Sequence, residues 1–176
     1  MSENILDLLE GFVPEIAEDD SIDFSQPVRC GGIAVVKEGG RNTGIGKNSG
    51  DKFDFLTLKM QIGEVVDGEA SAMNRFLDKS YSLMDKTWAD GNTTTAADNV
   101  KRLLSDLFTA GYEFALPKTI DEQDLYEALA VHLGGLKDKL INVRCYPTKG
   151  GKQAVKIVKE IKKKSEIKKE KTNVPF

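Results

Sequence analysis

A mainly β domain with one α-helical insertion, in the order β-β-β-α-β-β, is the fold class predicted for this 176-residue chain. Three observations carry it. Two strand-like runs, 53–66 and 74–84, lie close together and alternate apolar with polar residues. A helical stretch follows over about 95–133, and two more strand-like runs, 140–146 and 153–161, close the pattern. A weaker run at 28–37 precedes it. This is the strand order of the OB-fold, a five-stranded Greek-key barrel.

The first element is a short helix over 4–13, where Ile5, Leu8, Leu9 and Phe12 recur at helical spacing until Gly11 and Pro14 limit it. Such a short helix needs something to pack on. The run 28–37 carries Gly31 and Gly32, which mark a bulge or bend. The glycine-rich segment 39–50 reads as a flexible loop carrying Arg41 and Lys47. In the next strand Leu56, Leu58, Met60 and Ile62 share the face expected to meet the core. Phe53, Phe55, Thr57, Lys59 and Gln61 share the other. Asp67-Gly68 makes a turn. In 74–84, Arg75, Leu77, Lys79, Tyr81 and Leu83 alternate with Phe76, Asp78, Ser80, Ser82 and Met84, and the pattern alone leaves open which set is inside.

Thr93–Thr95 offers N-caps for a helix with the stripe Val100, Leu103, Leu104, Leu107 and Phe108, stopped by Gly111. Thr119 or Asp121 caps a second helix with Leu125, Leu129 and Leu133, stopped by Gly134 and Gly135. Ile141, Val143 and Cys145 then alternate with Asn142, Arg144 and Tyr146, and a turn over 147–151 leads to the last strand.

Charge divides the chain into three parts. Residues 1–26 form an acidic segment, with eight acids and no Lys or Arg among residues 1–24. Residues 27–161 form the barrel domain, and 162–176 a lysine-rich tail. An acidic head and a basic tail point to charge-driven contacts at the ends. No apolar run approaches the roughly 20 residues of a membrane span, and the first residues lack a basic secretory n-region, so no membrane partner and a cytoplasmic location are expected. Cys30 and Cys145 are too few and too far apart for a metal pattern and read as small buried apolar residues.

No catalytic constellation stands out. A phosphate-binding loop needs Gly, four residues, Gly, Lys and then Ser or Thr. Here Gly46-Lys47 is followed by Asn48, and Arg41 stands where the first glycine belongs. His132, the only histidine, lies in a helix with no Cys, Asp or Ser at suggestive spacing. The chain is therefore expected not to be an enzyme, with no catalytic residues, no cofactor and no metal. What remains is a set of rings and cations: Phe53, Phe55, Lys59, Arg75, Lys79, Tyr81, Arg144 and Tyr146, with Arg41 and Lys47 on the glycine-rich segment. Rings that stack on bases beside cations that neutralise phosphate are the chemistry of single-strand binding. Trp88 is balanced between plugging the barrel end and stacking.

The stretches FDFLTLKMQIGEVVDGE, NRFLDKSYSL, AADNVKRLLSDLFTAGYEF and DLYEALAVHLGGLKDKLINVRCYP resemble, over about residues 27–160, bacteriophage-encoded single-stranded-DNA-binding proteins of the OB-fold type. Gly135-Leu136-Lys137 stands roughly where that family carries a Gly-Lys step before its fourth strand, with Leu136 inserted. The final Val174, Pro175 and Phe176 also resemble the tip of bacterial single-strand-binding proteins, although Lys168, Lys169 and Lys171 precede it here in place of acids. The resemblance implies sequence-tolerant binding of single-stranded DNA in phage replication or recombination, in the host cytoplasm. It implies replication or recombination proteins as partners at the tip, and it leaves a homo-oligomer open. The rival readings are a protein-interaction OB module and an RNA-binding protein.

Overall fold

The computed structural model describes residues 5–17, 30–147 and 153–161. The expected head acids Glu3, Glu18, Asp19, Asp20 and Asp23, the turn after Pro147, the lysine-rich tail and the tip Val174–Phe176 lie outside those residues. The chain begins with helix α1 (Ile5–Leu9) and continues through strands β1 (Cys30–Ile45) and β2 (Lys52–Gly68). A single 3₁₀ turn (Ala70–Ala72) leads to β3 (Phe76–Ser82), and a small hairpin, β4 (Lys86–Thr87) and β5 (Thr93–Thr94), precedes helix α2 (Ala96–Ala110). Helix α3 (Glu122–Gly134) and strands β6 (Leu140–Pro147) and β7 (Gln153–Ile157) complete it.

The five long strands form one antiparallel sheet in the order β3-β2-β1-β6-β7. The two edge strands come together where Lys79 Nζ of β3 donates to the Val155 carbonyl of β7 at 3.0 Å. Three register shifts in β1, at Gly31/Gly32, Ile33/Ala34 and Val36/Glu38, bend this long strand. The bulge expected at Gly31 and Gly32 is therefore present.

The core follows the alternation in β2. Leu56, Leu58, Met60 and Ile62 are buried, and α2 supplies Val100, Leu103, Leu104 and Leu107 while α3 supplies Leu125, Leu129 and Leu133. Cys30 and Cys145 are buried, reduced and directly opposite each other on β1 and β6. Helix α2 starts in a reciprocal cap: the Thr95 hydroxyl accepts from the Asp98 N–H at 3.1 Å, and the Asp98 carboxylate accepts from the Thr95 N–H at 3.0 Å. Gly111, in the left-handed region at φ 87°, ends it. Asp121 is the cap of α3.

Two expectations are corrected. The glycine-rich run is not a flexible loop: β1 continues through Gly39, Gly40 and Gly44 to Ile45, and it pairs with Lys52–Leu58 of β2. The sequence presents glycine as freedom, but two of these glycines answer to close approach. A Cβ on Gly39 would fall 2.4 Å from the Leu133 carbonyl oxygen, so α3 rests directly on the β1 backbone. On the opposite face, Gly44 lies beneath the Phe53 ring. The helix expected over 4–13 is shorter, and Gly11 at φ 74° turns the chain after it. Residues 12–17 then run along α2, where the Ala17 N–H donates to Thr109 Oγ1 at 2.9 Å. Ile5 and Leu9 join the core.

Candidate nucleic-acid interface

Side chains of β2 that point away from the core begin the site. Phe53 and Phe55 are half-buried neighbours on the outer face, their ring centroids 6.1 Å apart and inclined by 23°. Across the strand pair, Phe55 faces Ser82 and Thr57 faces Ser80. The small serines keep that part of β3 low beside the rings. A cleft of about 620 Å³ opens here, bounded by β2, β3, the β4–β5 hairpin and the start of α2. Its cations are Lys52, Lys86 and Arg102, and its third ring is Trp88.

The cleft also holds Asp51, Asp54 and Asp85. Two of these carboxylates are engaged. Asp54 takes a forked pair from Arg41, with Nε to Oδ1 at 2.9 Å and Nη2 to Oδ2 at 2.7 Å. Asp85 Oδ1 accepts from the Ala96 N–H at 2.9 Å, at the positive end of α2. Asp54 thus has its charge met by Arg41 from behind and Asp85 is tied to a helix start, while Lys52, Lys86 and Arg102 line the cleft beside the rings.

The expected binding residues fall into different places. Phe53, Phe55 and Lys59 lie on the outer face of β2, and Lys47 is exposed in the turn between β1 and β2. Arg75 is exposed just before β3. Tyr146 is half-buried near the far end of the sheet, in β6. Arg144 pairs across the sheet with Gly31, which in turn faces Asp67, whereas Phe53 lies near the opposite end of β2. At roughly 3.3 Å per residue, Phe53 and Asp67 are some 45 Å apart along β2. One patch does not hold both sets.

Four of the expected residues are built into the fold. Tyr81 is 1% exposed, and its hydroxyl donates to the Asp106 carboxylate. Burial first, and that carboxylate second, push its phenol well above the ordinary range. Lys79 forms an ion pair with the same Asp106 at 3.2 Å and holds the β3–β7 approach. Arg144 is 4% exposed and reaches across Gly31 to Asp67 at 2.9 Å. Arg41, expected on a mobile loop, sits in β1 against α3. There it bonds Asp54, Glu127 at 2.8 Å and Gln123 at 2.9 Å, with its guanidinium 5.5 Å from the Tyr126 ring centroid. The Asp54 hydrogen bonds lead in holding it charged, against the penalty of burial. In each case a cation or phenol next to an apolar strand has found a carboxylate that is remote in sequence, which no local pattern displays.

Lys52, Lys86 and Arg102 are the residues that sequence reasoning missed. Lys86-Thr87 and Thr93-Thr94 flank a turn with Gly91 at φ 87°, and that pairing was the available signal for the small hairpin. His132 bonds the Tyr112 carbonyl at 2.8 Å and meets Phe114 edge-on, a structural setting. Among the described residues no group of three or more His, Cys, Asp or Glu is placed to hold a metal, and no helix is long and apolar enough to cross a membrane. No family model, curated protein or solved structure matches the chain.

Proposed function

We propose that this chain binds single-stranded DNA with little sequence preference, as an OB-fold protein serving phage replication or recombination. The strand order β3-β2-β1-β6-β7 supports the fold assignment, because closing β3 onto β7 would give the five-stranded Greek-key barrel. Lys79 already links those edges. The helical insertion between β3 and β6 stands where that barrel carries its helix.

The observation that carries the reading is the outer-face pair Phe53 and Phe55 in one cleft with Lys52, Lys86 and Arg102. Rings accept any base, because every base has a flat face, and the cations neutralise the backbone. Three cleft cations correspond to a log–log salt slope of roughly −2 on single strands, at about −0.7 for each phosphate. The phage assignment rests on the resemblance of the quoted stretches. Fluorescence anisotropy of labelled oligothymidine, matched RNA and duplex across a salt series tests it. The expected result is salt-sensitive binding of the single strand and weaker binding of the duplex. Binding that is absent at low salt, or equal for duplex and single strand, overturns it.

A further inference from the structure

Resting on the single-strand reading above, we propose that the β4–β5 hairpin is a clamp arm whose Trp88 stacks on an unpaired nucleobase entering the cleft beside Phe55. Trp88 is 50% exposed, a large ring left partly in water at the tip of a two-stranded arm. It lines the same cleft as Phe53 and Phe55 but comes from a different element, so the cleft has aromatic walls on more than one side. A volume of about 620 Å³ lies within the range that takes small planar molecules, about 300–1,000 Å³.

The indole is held in place rather than loose. Its Nε1–H donates to Thr94 Oγ1 at 2.9 Å, and its backbone N–H donates to the Asn92 carbonyl at 2.8 Å. The Lys86 ammonium stands over the ring, 4.0 Å from its centroid, so the indole and a cation enter the cleft side by side. The arm is fixed at its base too. Thr87 and Thr93 share a hydroxyl hydrogen bond at 3.0 Å, and Asp85 ties the start of the arm to the first turn of α2. A platform set in advance loses little freedom when a ligand arrives. The cleft floor is fixed as well: buried Asn99 donates to the Ser82 carbonyl at 2.9 Å and accepts from Arg102 Nη1 at 3.4 Å, which steadies the guanidinium that lines the cleft. A nucleobase with its phosphate satisfies rings and cations together, which a purely apolar ligand would not.

Trp88 is the only tryptophan of the chain, so its emission reports on the arm in the unmodified full-length protein. Oligothymidine is titrated while indole emission and the anisotropy of a labelled copy are both recorded. Emission is expected to be quenched with the same midpoint as binding, and an abasic oligonucleotide of equal length is expected to bind without that quench. Trp88→Ala should weaken binding roughly 5- to 150-fold, the loss of one stacked base, with Trp88→Phe recovering most of it. Strand binding with unquenched emission and undiminished affinity in Trp88→Ala overturns the clamp and leaves the single-strand reading standing. Equal quenching by the abasic strand overturns it as well, since the arm would then meet the backbone. No binding of any strand overturns both.

Discussion

The Phe53 ring lies on Gly44. A Cβ at Gly44 would fall 2.7 Å from Phe53 Cζ, so the ring uses the space that a missing side chain leaves on the neighbouring strand. Gly44→Ala therefore pushes on the far end of a ring and not on backbone. Affinity for single strands is expected to fall about fivefold, part of the roughly 1–3 kcal/mol of a stacked base, with the melting temperature nearly unchanged. Phe53→Ala should cost the full amount. Tyr146→Ala, at the other end of the sheet, should leave affinity intact. An oligonucleotide titration of the three variants, paired with thermal melts, checks this.

Arg41 belongs to the frame. Arg41→Met removes a forked partner from Asp54 and a second bond from Glu127. The expected loss is roughly 1–3 kcal/mol, the scale of hydrogen bonds to charged groups, moderated because Glu127 is well exposed. Urea denaturation should show a lower midpoint with unchanged slope. The salt slope of DNA binding should stay as in the parent, whereas a phosphate contact at Arg41 would make it shallower by about 0.7.

Acid should loosen the start of α2. The hydrogen bond from the Thr95 backbone N–H leads in holding the Asp98 carboxyl below its usual range. A carboxyl depressed in the folded state contributes stability that is fully present above the unfolded value, near pH 4, and is lost as pH falls through the folded value. Asp98→Asn should abolish that part of the acid dependence below about pH 4. Thr95→Ala should cost about 1 kcal/mol at neutral pH by removing the hydroxyl that accepts from Asp98. Denaturation curves for both variants at neutral and acidic pH give the comparison.

Removing residues 1–17 should lower the melting temperature. Ile5 and Leu9 are buried, and the carbonyl of Glu15 accepts from the Thr109 hydroxyl at 3.3 Å. Losing two core aliphatics corresponds to roughly 3–6 kcal/mol as an upper bound. An acidic segment that merely competed with DNA would instead tighten binding on removal and leave the melt unchanged, so melting and titration of the truncated chain separate the two roles.

Most of the architecture was legible because it follows local rules. Alternation in β2 placed Leu56, Leu58, Met60 and Ile62 inside and Phe53 and Phe55 outside. Cap chemistry placed the stop of α2 at Gly111 and narrowed the starts of α2 and α3 to Thr93–Thr95 and to Thr119 or Asp121, of which Thr95 and Asp121 are the caps. Of the residues that line the candidate cleft, the sequence singled out Phe53 and Phe55 but none of its cations. Whether a lysine or arginine is ligand or scaffold depends on which carboxylate the fold brings to it: Asp106 for Lys79, Asp67 for Arg144, and Asp54 with Glu127 for Arg41. Those partners lie from 13 to 86 residues away, beyond any periodicity. Tyr81 shows the same limit, since an amphipathic phenol fits a surface pattern as well as a buried one with a partner for its hydroxyl.

The contact of Gly39 with Leu133 bears on how the molecule breathes. At Gly39, helix α3 meets strand β1 through backbone, with no β1 side chain at that point to rearrange. Hydrogen exchange in the last turn of α3 and in the middle of β1 should therefore proceed through one shared opening, a single cooperative unit, because neither ladder separates without lifting the other.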